Sequence, residues 1–224
     1  MTASVSIERI LHVGDERASM VIHALGIALS VLALGLLVAA AVRLDSTRAF
    51  WGGGVFGLAL LLLYSASTLY HAARDEDRRR RLRRLDHIAI YGLIAGTYTP
   101  FTLLALRGAW SWGLLLAIWL FAAVGAAAEF SDWGQRRGLA ALIYVGMGWT
   151  GVLAIAPLHA ALAGSGLALL LAGGAAYTLG VPFYLWKRFR FHHSVWHVFV
   201  LAGSVLQFLS VLLYVLPLAR AHLA

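Results

Sequence analysis

A few ionisable residues in this chain fall within or beside long apolar stretches, where each costs several kcal/mol unless it is paired or hydrated. His193 and His197, in FHHSVWHVFVLAG, are four residues apart. On a helix that spacing puts both rings on one face, about 6 Å apart in rise, so the two can bind one metal ion. His71 closes a different apolar stretch, in SASTLYHAARDE, and completes a tripod. Three protein ligands and one open position form the pattern of a catalytic zinc, whose bound water has its pKa drawn toward about 7. Asp86, opening the next stretch in RRLDHIAIYG, can take a proton from that water or orient it. Ser67 stands one turn before His71 on the same face and can hydrogen-bond the water or a lipid carbonyl.

Each residue also has a plainer reading. An i,i+4 histidine pair suits rings that hydrogen-bond lipid headgroups at the membrane surface. Asp86 fits a helix N-cap, and Ser67 a small packing residue. His87 and His192 read as interfacial. His12, His159 and His222 fall in loops or tails and take no role. His23 lies about a turn inside the first apolar stretch, on the same side as the other candidates.

The elements that must hold these residues are membrane helices. Of 224 residues, 61% are hydrophobic and 12% charged, and mean hydropathy is +0.81. That balance argues against a water-soluble enzyme. Seven stretches reach the length of about 20 residues that a crossing helix needs. They run roughly over 19–42, 50–72, 85–106, 109–129, 138–157, 164–186 and 194–217. Short connections leave no room for a second domain, so residues 1–224 read as one seven-helix transmembrane domain. The first stretch is too long for a signal-peptide core and reads as a retained helix. Gly52, Gly53, Gly54, Gly173 and Gly174 read as packing surfaces, and Pro100 and Pro182 as helix kinks.

Basic residues set the orientation. By alternation, 14 of the 18 Lys and Arg residues fall on the side of the N-terminus and of the loops after helices two, four and six. Arg9, Arg17, Arg74, the run Arg78–Arg84, Arg136, Arg137, Lys187, Arg188 and Arg190 lie there, whereas Arg43, Arg48, Arg107 and Arg220 lie opposite. The positive-inside rule makes the N-terminus cytoplasmic and the C-terminus external. On this topology His71, Asp86, His193 and His197 share one membrane depth at the cytoplasmic end. The arginine run reads first as a topogenic loop that contacts anionic lipid headgroups, and nucleic acid is not implied.

Other chemistries fall away. With no cysteine, thiolate metal sites, iron–sulfur clusters and cysteine nucleophiles are excluded. The one lysine, Lys187, lies in a basic loop, so a retinal Schiff base within a helix is excluded. An i,i+4 pair suits haem poorly, since axial ligands approach from opposite faces. The midplane carboxylate of a coupled transporter is missing.

At these residues the chain resembles the hemolysin III family, bacterial members of the progestin and adipoQ receptor superfamily. Three blocks carry the likeness: SASTLYHA with Ser-x-x-x-His, LDHIAIYGLIAGTYTPF with its Asp and Thr-Pro turn, and HSVWHVFVLAGSVLQF with His-x-x-x-His. The resemblance implies a seven-helix fold with zinc near the cytoplasmic face, ligated by His71, His193 and His197, with Asp86 and Ser67 beside it. It also implies Glu, Asn and His early in the first helix. Glu16 and His23 are present, and Ser19 stands where Asn is expected.

Two functions follow from the resemblance as expectations. One is a zinc-dependent intramembrane lipid hydrolase of ceramidase-like amide type in the bacterial plasma membrane, with membrane lipid as substrate. The other is a non-enzymatic sensor or membrane-homeostasis protein in which zinc staples helices together. A secreted pore-former is disfavoured, because no amphipathic pore segment is visible.

Overall fold

The computed structural model describes residues 2–131, 136–186, 188 and 190–222; Lys187 lies outside them. Seven of its helices are long and apolar enough to cross a membrane, and no strand occurs among the described residues. They are α1 (Thr2–Arg43, with an apolar span Gly14–Arg43), α2 (Thr47–Ala72), α3 (Glu76–Ala105), α4 (Gly108–Ala128), α5 (Arg137–Ala161), α6 (Gly164–Leu185) and α7 (His192–Arg220). Large apolar side chains face outward along them, among them Leu116, Leu120 and Leu153 at 67–71% exposure. So large an exposed apolar surface suits a lipid surround, and helices meet its demand that backbone polar groups be paired internally. The chain is a multi-pass membrane protein.

Two boundaries differ from expectation. α3 starts at Glu76, nine residues before the apolar stretch does. Asp75 caps it, accepting from the Arg78 amide at 2.8 Å, and Glu76 and Asp77 complement the helix dipole in the first turn. Arginine is itself a good helix former, so the charged run is helical rather than a loop. α5 continues through Ala161, so His159 lies in its last segment instead of a loop. A 3-10 turn at Thr150–Ala154 interrupts α5. The Tyr98 hydroxyl of α3 reaches into that break, lying 2.7 Å from the Gly148 carbonyl and accepting from the Gly151 amide at 2.6 Å.

Pro100 and Pro182 lie inside helices, as expected. After Pro100 the chain passes into a π-helical turn, Phe101–Ala105. Small residues bring α1, α2 and α3 together. A Cβ on Gly57 would meet the Leu34 backbone at 2.9 Å, and one on Gly96 would meet the Ala59 Cβ at 2.6 Å. Gly52, Gly53 and Gly173 are packing glycines of the same kind, facing Pro100, Leu37 and Gln207, whereas Gly54 faces open space. Gly174 also departs from the expectation: only Trp149 lies near it, at 3.8 Å, because it borders a cavity. α2 packs along both α1 and α3, and α6 along α7, while α5 leans on α3 and α6 over a shorter stretch. The cavity opens where that packing is thinnest.

Candidate metal centre

One stripe of α1 faces the other helices. Glu16, Ser19, His23, Gly26 and Ser30 recur every three or four residues, which keeps them on one helix face. Gly26 lets the Tyr64 ring of α2 press against the α1 backbone, where a Cβ would meet that ring at 2.3 Å. His23 is thereby drawn into the bundle and is 2% exposed. His71 of α2 and His197 of α7 are buried beside it.

These three histidines each bring a ring nitrogen to within 4.8 Å of the others. The Nε2 atoms of His71 and His197 are 3.0 Å apart. Two nitrogens bound to one tetrahedral zinc at 2.0–2.1 Å would be separated by about 3.3 Å. His193 joins the cluster from one turn earlier on α7, its ring 4.4 Å from that of His197 and 5.1 Å from that of His71 between centroids. The structure brings the ligand atoms of His71 and His197 together with those of His23, and sets the His193 ring beside them. Among the described residues, the grouping of ligand atoms is His23, His71 and His197, so His23 stands where His193 was expected.

The cluster is held from outside by carboxylates. Glu16 lies 2.7 Å from Nδ1 of His71 and is also bound by Arg79 of α3. If Nδ1 donates to Glu16, Nε2 presents a lone pair to the cluster, the arrangement that orients metal-bound histidine. Asp15 serves α7. It accepts from the Ser194 amide at 3.0 Å and from the Ser194 hydroxyl. Ser19 lies 3.2 Å from the same hydroxyl. Where the resemblance leads to Asn, Ser19 thus still ties α1 to α7 beside His193.

The donor set fits a metal ion. Four imidazoles converge, and among the described residues neither ring nitrogen of His23 nor Nδ1 of His197 has a hydrogen-bond partner. Buried polar atoms without partners are rare unless a water or an ion completes them. A bound metal of imidazole preference, with zinc foremost, would take one nitrogen of each ring it holds. Ser67 and Asp86 are buried at 1% and 8% exposure. Both line a cavity of about 140 Å³ that also touches His23, His193 and His197. Asp86 is not the cap of α3, since Asp75 holds that position. Away from the histidines the cavity becomes apolar, and it shares Thr97, Tyr98, Gly148, Trp149, Gly174 and Gln207 with a second space of about 70 Å³ walled by Leu114, Ile155, Leu158 and Leu170.

His87 departs from its interfacial expectation. It is buried, and its Nδ1 lies 3.1 Å from Glu129, a carboxylate at 2% exposure that also accepts from the Tyr144 hydroxyl at 3.3 Å. The partner is 42 residues away on the turn after α4, so no local spacing signals the pair. His192 is half-buried, with Nδ1 donating to the Phe183 carbonyl at 3.0 Å.

Fold and site together define a seven-helix membrane protein with a buried histidine centre where α2 ends and α7 begins. Residues 11–208 match the family model described as Haemolysin-III related, and the chain belongs to that family. It is 44% identical to Hemolysin-3 of Bacillus cereus over 209 residues, covering 92% of this chain and 94% of the relative. It is 40% identical to the Hemolysin-3 homolog of Bacillus subtilis (strain 168) over 200 residues, covering 89% and 94%. A more distant likeness, 27% over 168 residues, covers 71% of this chain and 68% of the human monocyte to macrophage differentiation factor.

Proposed function

We propose that the protein is a zinc-dependent lipid hydrolase of the bacterial plasma membrane, cleaving an amide-linked acyl chain in the manner of ceramidases. The observation that supports this most is the cavity. It joins the histidine cluster, Ser67 and Asp86 to an apolar space within the bundle, so a lipid chain and its polar linkage have places side by side. A bound zinc supplies Lewis-acid polarisation of the acyl carbonyl and lowers the pKa of water at the site. The chain's own residues do the rest. Asp86 takes the proton of the attacking water and returns it to the leaving amine, a role worth typically 10²–10⁴-fold in rate. Ser67 donates a hydrogen bond to the acyl oxygen. The apolar walls exclude bulk water and fix the chain. With the N-terminus cytoplasmic, exposed Arg78, Arg80 and Arg81 face anionic headgroups of the inner leaflet.

The second reading, a non-enzymatic membrane-homeostasis protein with a structural metal, is favoured by the crowding of four histidine rings at one point, since closed sites are usually structural. One experiment separates the two. The protein is purified in detergent, its zinc measured per chain by elemental mass spectrometry, and fatty-acid release followed from N-acyl and ester lipids. Near one zinc per chain, with release lost in Asp86→Asn while zinc is retained, supports the hydrolase. Zinc present with no release from any lipid supports the staple. No zinc even after loading at neutral pH sinks both.

A further inference from the structure

We infer that the polar mouth of the cavity is an oxyanion site, where Arg83 of α3 and Arg137 of α5 hold a carboxylate or phosphate on the amine part of an acyl-amide lipid. This rests on the reading of the cavity as a lipid site. It goes beyond that reading in the class of substrate: an anionic amphiphile whose charge lies a few bonds from the acyl linkage.

Each arginine heads the cavity-facing stripe of its own helix. On α3, Arg83 is followed by His87 and Ile90, and on α5, Arg137 is followed by Ala141 and Tyr144, all of them in the cavity wall. Steps of three and four residues keep each set on one helix face. The other arginines of the α3 run turn elsewhere. Arg78, Arg80 and Arg81 are exposed, Arg79 binds Glu16, and Arg84 lies over the Phe130 ring at 5.9 Å. Arg83 is half-buried, and Arg137 is exposed at the rim.

The two guanidinium groups converge. Both lie within electrostatic reach of the Tyr184 hydroxyl of α6, a residue that also borders the cavity. Like charges brought together repel unless an anion lies between them. Two described carboxylates lie near the same hydroxyl. Glu129 is engaged by His87 and Tyr144, and Asp86 is buried one turn deeper on α3. A guanidinium carries five N–H donors in a planar fork, so a contact within the protein leaves others for a bidentate oxyanion. The N-terminus of α5 adds to the positive field, since Arg136 gives it no side-chain cap. Arg83 stands three residues before Asp86, about 4.5 Å along the helix axis. An anion at the mouth therefore lies beside the linkage that Asp86 serves.

The test measures binding to the full-length protein as purified in non-ionic detergent, by equilibrium dialysis with intact ligand counted by mass spectrometry. N-dodecanoylglycine and N-dodecanoylethanolamine share chain and amide, and only the first carries a carboxylate. The glycine conjugate should bind at least about tenfold tighter, the scale of one hydrogen bond to a charged group. That advantage should shrink to about threefold or less in Arg83→Gln and in Arg137→Gln, and persist in Arg81→Gln. N-acetylglycine, the same anion without the chain, should not displace the probe at equal concentration. Equal affinity of the parent for the two conjugates overturns the site, and that comparison needs no substitution. An advantage that survives in both cavity variants overturns it too, since the carboxylate then sits on the metal or elsewhere. An advantage that Arg81→Gln also abolishes reflects surface charge alone and overturns it as well. Displacement by N-acetylglycine overturns the lipid class in favour of a free small anion. Failure of the preference leaves the hydrolase reading standing, and absence of fatty-acid release leaves the binding result standing, so the two are told apart.

Discussion

The Glu16 carboxylate of α1 stands 2.7 Å from Nδ1 of His71 on α2, with Arg79 of α3 on its other oxygen. Three helices therefore meet in one chain of charge-assisted contacts that ends at the histidine cluster. Glu16→Gln keeps the size but cannot hold the imidazole as a carboxylate does. Such partners of metal-bound histidine are worth about 10–100-fold in affinity. The expected result is zinc binding weakened within that range, read by chelator competition, with stoichiometry at saturation unchanged.

The start of α7 is capped from another helix. Phe191 precedes it in a left-handed conformation, at φ 57°, and offers no side-chain cap. The Asp15 carboxylate takes that role by accepting from the Ser194 amide. Asp15→Ala should cost about 0.5–2 kcal/mol, the range for losing a cap, and lower the thermal midpoint in detergent. Asp15→Asn, which caps about as well, should recover most of it.

His87 and Glu129 form a buried pair outside the histidine cluster. His87→Ala strands the carboxylate with Tyr144 alone, and an unsatisfied buried partner costs about 1–3 kcal/mol, more when charged. His87→Ala and Glu129→Gln should each destabilise. The double variant should lose less than the sum, because the pair is broken only once. Denaturation midpoints of the four proteins in one detergent provide the cycle.

The seven spans were legible from apolar run length alone, because lipid demands it of each helix separately. The candidate ligands on α2 and α7 were legible for a similar reason: His71, His193 and His197 sit at span ends, where alternation of the helices assigns a common depth. Depth is all that such reasoning supplies. It could not rank His23 against His193, since rotation about the α1 axis decides whether His23 faces the cluster, and that rotation is set by Gly26 and Ser19. The His87–Glu129 contact was invisible because its two members join different helices. Helicity of Glu76–Arg84 was missed because a hydropathy window registers charge and not the Asp75 cap.

The orientation expected from the basic residues can be mapped cleanly, since the chain has no native cysteine. Arg107→Cys lies in the connection before α4 and Ser131→Cys in the turn after it, and both positions are exposed. With the N-terminus inside, a membrane-impermeant maleimide should label Arg107→Cys on intact cells, and Ser131→Cys only after permeabilisation. The reverse pattern would invert the topology and place the histidine cluster at the outer face.

Gly174 borders both cavities and has only Trp149 near the place of its missing Cβ, at 3.8 Å. Trp149 is itself held by an indole hydrogen bond to Thr178, 2.9 Å long, so it does not swing away freely. A larger residue at 174 must therefore grow into the space between the apolar walls and the histidines. Gly174→Leu should leave zinc content at the parental level, because no histidine of the cluster lies against Gly174. It should also gain helix propensity on α6, so lost stability would not explain lost function. If lipid chains occupy the cavity, the variant should retain fewer co-purified lipids in native mass spectra and release fatty acid at least tenfold more slowly. Parental lipid retention and turnover would mean that substrate reaches the metal by another path and that this apolar space is not where the chain lies.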